Sequence, residues 1–167
     1  MKLIALTQGY YAKVSDKDFA RVNRFKWCAQ LCRRKDGSLR TVYGQSRIKG
    51  ILVSLHRFIL GLTDPKIQVD HRDHDGLNNV RRNLRRCGQK QNIRNIYKRP
   101  DTASKYKGVT WENYRQRWKA QIMVSGRNLF IGRFLPTSVG EKAAARAYDA
   151  AARKYFGRFA STNFASA

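Results

Sequence analysis

The sequence predicts an α+β chain in two parts. A β-rich extension leads into a small strand-strand-helix core over about residues 50–96, and a three-stranded antiparallel sheet packed on one helix follows. Three observations predict it. Lys plus Arg number 35 against 11 Asp plus Glu, a net charge of +24, yet 42% of the 167 residues are apolar and 11% aromatic, too many for a disordered basic tail. Short alternating runs bounded by Gly, Asn and Asp mark strands through most of the chain. One long alanine-rich run after Ser138 has the spacing of a helical face.

In chain order, Leu3–Leu6 and Tyr10–Val14 flank Gln8-Gly9 as two short strands. Ser15, with Asp18 three residues on, has the form of a capping box opening a helix through Phe19 and Val22. Phe25-Lys26-Trp27 begins another strand, and Asp36-Gly37 predicts a type I′ hairpin before Leu39–Tyr43. Ser54–Leu60 reads as a helix stopped by Gly61. Residues 95–105 (NIYKRPDTASK) lack apolar periodicity, so 97–103 are assigned as a linker between domains over 1–96 and 104–167. Beyond it, Tyr106–Val109, Arg117–Val124 and Leu129–Phe134 read as strands, with the second turn at Ser125-Gly126-Arg127-Asn128. Ser138 and Glu141 form a second capping box. The helix over Lys142–Tyr155 carries the stripe Ala144, Ala147, Tyr148, Ala151, Tyr155 and ends at Gly157.

The composition excludes several classes. No run of 18 apolar residues exists to cross a membrane as a helix. The opening MKLIALTQGYYAKVS has too short an apolar run for a secretory leader, so the expected location is the cytoplasm, the host's if the chain is phage-encoded. Cys28, Cys32 and Cys87 are odd in number and form no CxxC pair, which argues against a disulfide framework and against zinc. Residues 1–99 carry 23 basic and 7 acidic residues, net +16, and 100–167 carry 12 and 4, net +8. Both parts are basic, and no basic amphipathic helix offers a bulky apolar face to a membrane. Nucleic acid is the expected partner.

One constellation carries chemistry. Asp70 and His71 end a strand-like run, and adjacent residues on a strand point to opposite faces unless the strand ends there. Asn83 follows twelve residues later, before the short strand Leu84–Cys87. Asn92 follows nine after that, on a polar helix over 88–96. This pattern resembles the ββα-metal core of HNH nucleases, most closely the phage intron-encoded homing endonucleases, whose last histidine is often an asparagine; the Leu55-His56-Arg57 helix fits the same group. The resemblance implies a metal-dependent DNA endonuclease.

A neutral His71 can deprotonate water as general base. Asp70 and Asn92 offer hard oxygens to one divalent ion, Mg²⁺ or Mn²⁺, and the family's middle asparagine, here Asn83, implies a residue that orients the imidazole. His74 and Asp75 read as turn residues and His56 as a core histidine. Arg81, Arg82, Arg85, Arg86, Lys90, Arg94, Lys98 and Arg99 make eight basic residues in nineteen without an acid; the expectation is phosphate contact, with Arg81 through Arg94 as the candidates.

Tyr106-Lys107-Gly108-Val109, Trp118–Ile122, Phe130–Phe134, Ala144–Ala151 and Asn163-Phe164 together resemble the Apetala-type (ethylene-response-factor) DNA-binding domain over residues 104–164. That family lays a three-stranded sheet in the major groove with a helix behind. Alternation agrees: Trp118, Ala120, Ile122 and Val124 would face the helix, and Arg117, Lys119, Gln121 and Met123 would face DNA. Lys107, Thr110, Arg115, Arg127, Asn128 and Phe130 extend that surface. Thr110, Gln121 and Met123 stand where the plant pattern has arginine and glutamate, so the recognised base sequence does not transfer.

The expected partner is therefore double-stranded DNA, bound by a monomer without membrane or obligate protein partner. The rival is a non-enzymatic DNA-binding regulator, which has no reason to keep Asp70, His71, Asn83 and Asn92 together. A ribonuclease is disfavoured because the A-form major groove is too narrow for a sheet.

Overall fold

Gln8-Gly9 folds the first apolar run back on itself, so that β1 (Lys2–Ala5) and β2 (Tyr11–Val14) pair antiparallel from Lys2↔Val14 to Ala5↔Tyr11. The computed structural model describes residues 1–89, 91 and 102–164. It divides into two units, Met1–Gln89 and Lys90–Ala167. Both mix helices with small sheets. Among the described residues no helix is long and apolar enough to cross a membrane.

In the first unit, α1 (Asp16–Val22) follows β2. The expected capping box does not form, because one distant residue, Arg81, takes both of its side chains. The Ser15 hydroxyl accepts the Arg81 N–H at 2.9 Å, and Asp18 accepts two bonds from the Arg81 guanidinium at 2.8 Å. The strand expected at Phe25 starts later, as β3 (Cys28–Arg33). The Phe25 N–H closes a turn onto Val22, and the buried Trp27 indole donates to the Val22 carbonyl at 2.9 Å.

β3 pairs antiparallel with β4 (Leu39–Ile48), which pairs with β5 (Ile51–Ser54). The β3–β4 turn is not type I′. Only Gly37 has positive φ (+81), its N–H bonds the Arg34 carbonyl, and the register shifts at Cys32/Arg33. That is a type I turn closed by a left-handed glycine with a bulge.

Helix α2 (Leu55–Leu60) stops at Gly61, as expected, with φ +63 and its N–H on the Arg57 and Phe58 carbonyls. Leu55 and Ile59 are fully buried with Val14, Val22 and Trp27. Each such aliphatic burial stabilises by about 1.5–3 kcal/mol. Upon this core sit β6 (Gln68–His71) and β8 (Leu84–Cys87), an antiparallel pair, while the short β7 (Asn78–Asn79) joins β2 in parallel. The helix expected over 88–96, Asn92 included, lies mostly outside the described residues.

The second unit is a sheet ordered β11-β10-β9, formed by β9 (Val109–Glu112), β10 (Arg117–Val124) and β11 (Arg127–Phe134). Its first strand starts three residues later than expected. Gly108, at φ +76, turns the chain where a Cβ would overlap the Tyr148 ring. Ser125 (φ +51) and Gly126 (φ +82) make a two-residue type I′ hairpin here, shorter than the expected four-residue turn, so β11 starts at Arg127 rather than Leu129.

Helix α3 (Ser138–Phe156) is capped by the Thr137 hydroxyl, which accepts from the Gly140 N–H at 3.1 Å. The cap thus lies one residue before the expected Ser138, and Glu141 instead accepts from the Ser104 hydroxyl at 2.6 Å. The buried stripe is Gly140, Ala144, Ala145, Tyr148, Ala152 and Phe156, with Tyr155 exposed. Small residues let α3 lie close on Ala120 and Val109, both essentially buried. Buried Asp149 accepts from both nitrogens of Asn163 and from the Phe164 N–H, tying the C-terminal segment to the helix.

Candidate functional site

Asp70 and His71 are neighbours on β6, so the pleat sends their side chains to opposite faces. Both are 6% exposed. Asp70 lies directly opposite Arg85 in the β6–β8 ladder, and Arg85 Nε donates to Asp70 Oδ2 at 2.5 Å. Arg85, expected to contact phosphate, has its side chain 7% exposed and ion-paired to this buried carboxylate. Arg81, half-buried, bonds Asp18 and the Ile59 carbonyl. Arg82 and Arg86 are exposed, Arg86 donating to the Leu60 carbonyl at 3.1 Å. Lys90, Asn92, Arg94, Lys98 and Arg99 lie outside the described residues.

His71 sits among aromatic rings. Its centroid is 5.4 Å from that of His56, edge to face, and 5.8 Å from that of Tyr43; Tyr43 and His56 are also 5.8 Å apart. His56 is therefore a wall of the His71 environment rather than only a core histidine. Burial pushes its imidazole down to about 3, helped by the charges of His71 and Arg57. Burial likewise lowers His71, against the Asn79 hydrogen bond and the carboxylates of Asp73, Asp70 and Asp75, which pull upward. Both rings are neutral near pH 7, the state in which an imidazole accepts a proton.

The expected partner of the His71 ring was Asn83, but the ring meets Asn79, with Nε2 and Oδ1 3.3 Å apart. Asn83 instead fixes the loop between β6 and β8. Its amide donates to Asp73 Oδ1 and the Asn78 carbonyl, both at 2.8 Å, and its side-chain oxygen accepts the Asp73 N–H. Burial acts to raise the Asp73 carboxyl, and the Asn83 and Asn78 amides outweigh it, leaving it lowered. His74 is a turn residue as expected, with φ +64 and its N–H on the His71 carbonyl. Asp75 accepts from the Leu77 N–H, the ordinary aspartate turn.

Asn79 and Tyr43 escaped the sequence reading. Nothing local marks them, because tertiary contact alone brings them to His71. Among the described residues, no three His, Cys, Asp or Glu side chains gather where they could hold a metal ion. The donors assigned to a cation are an aspartate and an asparagine, hard oxygens of the kind Mg²⁺ and Mn²⁺ take.

In the second unit, the outward row of the sheet matches the alternation. Arg117, Met123, Asn128 and Phe130 are exposed on it, as is Arg115 in the turn before β10, while Thr110, Lys119 and Gln121 are half-buried; Arg127, expected on this row, stands opposite Val124 in the register and is exposed on the helix side of the sheet instead. The register lays Thr110 beside Lys119 beside Arg133, Gln121 beside Phe130, and Met123 beside Asn128. Lys107 is half-buried, its backbone paired with Asn163; burial lowers its ammonium to about 8 against the pull of Asp149. No local sequence pattern marks Glu112 and Arg133. They form a two-pronged ion pair at 2.6 and 3.1 Å on this face, with the guanidinium 4.8 Å over the Phe130 ring.

No family model matches the chain. It is 33% identical over 166 residues to a protein of Acanthamoeba polyphaga mimivirus described as an uncharacterized HNH endonuclease, a match covering 96% of this chain and 79% of the relative. It is also 46% identical over 65 residues to an AP2/ERF and B3 domain-containing protein of Oryza sativa subsp. japonica. That second match covers 39% of this chain and 16% of the rice protein, the length of one module.

Proposed function

The chain belongs to the HNH endonuclease family, and on that premise we propose that it is a metal-dependent DNA endonuclease of the homing type, with a ββα-metal core in the first part and an Apetala-type sheet that reads duplex DNA in the second. The observation that carries the reading is His71: a neutral imidazole, enclosed by Tyr43 and His56, one residue from a carboxylate locked in place by Arg85.

In this reading His71 takes the proton of the attacking water. Arg85 keeps the Asp70 carboxylate in one rotamer, and Asn83 holds the intervening loop so that the β6 end presents a fixed geometry. Asp70 and Asn92 would hold a divalent ion, which supplies positive charge to the phosphate and to the leaving oxygen. Arg117, Gln121, Asn128 and Phe130 would meet the groove, Gln and Asn suiting adenine edges and Arg guanine.

Supercoiled plasmid incubated with the protein and Mg²⁺ or Mn²⁺ tests this. Nicked or linear product is expected, and His71→Ala should reduce its rate by at least about a hundredfold with duplex binding nearly unchanged. Tight duplex binding without cleavage by the wild-type chain in either metal would establish the DNA-binding regulator instead.

A further inference from the structure

We propose that Asn79 is the positioning residue for the general base, holding His71 in the tautomer whose hydrogen is on Nε2 and whose lone pair is on Nδ1. The inference rests on the reading of His71 as the base, and goes beyond it by naming the residue that sets the reactive atom.

The geometry carries it. Asn79 is fully buried on β7, fixed in parallel register with Val14 of β2. Its amide nitrogen donates to the Gly76 carbonyl at 3.1 Å. An amide with its nitrogen so engaged presents only its oxygen in the other direction, and that oxygen lies 3.3 Å from His71 Nε2. An oxygen acceptor requires a hydrogen on the ring nitrogen it meets. A neutral imidazole has one such hydrogen, so the lone pair is on Nδ1. Gly76 is itself held in place, since a Cβ there would overlap the Val42 carbonyl and the Tyr43 ring. The chain of constraints thus runs from β4 through Gly76 and Asn79 to the imidazole. Asn83 does not compete for the role, because its amide and oxygen serve Asp73 and Asn78.

The chemical step then has defined atoms. A water O–H bond breaks and its proton forms an N–H bond at Nδ1, while the oxygen's electron pair forms the new P–O bond. The bond to the leaving oxygen breaks with its pair on that oxygen, which takes a proton from solvent. The imidazolium keeps its Nε2–H bond to Asn79 throughout, so the ring does not rotate as it charges.

The test is ¹⁵N NMR of the His71 ring in the full metal-free chain, where the two tautomers have distinct nitrogen shifts, together with cleavage kinetics of Asn79→Ala. The expected result is the Nε2–H form in the wild type, a mixture of forms in Asn79→Ala, and a kcat lower by about 10–100-fold, the scale for losing the partner that orients a functional imidazole, with KM for DNA nearly constant. A wild-type ring in the Nδ1–H form overturns the proposal, whether or not the variant folds. So does a folded Asn79→Ala with unchanged tautomer and unchanged kcat. Failure of the underlying reading looks different: His71→Ala would cleave normally while the wild-type ring still showed the Nε2–H form.

Discussion

Asp70 and Arg85 face each other across the β6–β8 ladder, carboxylate to guanidinium at 2.5 Å, each side chain 7% exposed. An ion pair this deep contributes little over an apolar pair of the same volume, but breaking one half leaves a buried charge without its partner. Arg85→Ala should therefore destabilise the first unit by about 3–5 kcal/mol, read from urea unfolding at pH 7. The double variant Asp70→Leu/Arg85→Met should recover most of that loss while remaining inactive. A loss below about 1 kcal/mol in Arg85→Ala would mean that the pair is screened as surface pairs are.

His56 makes stability depend on pH. Its folded imidazole titrates at about 3, against an ordinary value of 6.5. Between those values the unfolded chain binds a proton that the folded chain refuses, so stability is full above 6.5 and falls as pH drops toward 3. Burial lowers His71 as well, and its contribution has the same sign. His56→Phe keeps a ring against Tyr43 and removes one titration. The pH slope of the unfolding free energy between about 6.5 and 4.5 should be shallower in that variant; an identical slope would show that the acid sensitivity originates elsewhere.

How far the sequence revealed these features depends on the range of the interactions that decide them. The β1–β2 turn, the stop at Gly61 and the hairpin at Ser125-Gly126 follow from a few adjacent residues, and their residue types state them. The capping box at Ser15 was misread because Arg81, 66 residues away, bonds the serine hydroxyl. Tyr155 and Phe156 are adjacent aromatics, and the fit of α3 to its sheet places Phe156 inside. The order Asp70, His71, Asn83 was visible in the spacing. The contacts of Asn79, Tyr43 and Arg85 were not, because each depends on a strand pairing or loop closure without a local pattern.

Affinity for duplex DNA should be strongly salt-dependent. Both parts of the chain are basic, and the outward face of the second-unit sheet presents Arg117 and Lys119 with a single acid, Glu112, already paired to Arg133. If six or more phosphates are met, the affinity should fall by about 10³-fold or more between about 50 and 200 mM salt. Titrations of a labelled duplex at several salt concentrations give the slope directly. A flat dependence would remove the electrostatic basis of the proposed DNA binding.

The second unit has a core of its own. Val109, Ala120, Ala144 and Ala145 form one apolar cluster, Ile122, Tyr148, Ala152 and Phe156 another, and Asp149 ties down the C-terminal segment through Asn163. A fragment of residues 102–167 should accordingly unfold cooperatively and prefer the native target over scrambled duplex. Gln121 is half-buried beside exposed Phe130, a setting that limits its rotamers and suits a two-bond contact to one base edge. Gln121→Ala should then reduce the preference for target by about 1–3 kcal/mol. Arg127, exposed at the hairpin turn, has the position of a phosphate contact, so Arg127→Ala should weaken target and scrambled duplex alike and lower the salt slope by about one. Competition between the two duplexes at one fixed salt concentration separates these outcomes. Equal affinity of the wild-type fragment for both would reduce the sheet to an electrostatic anchor and place sequence preference in residues 1–101.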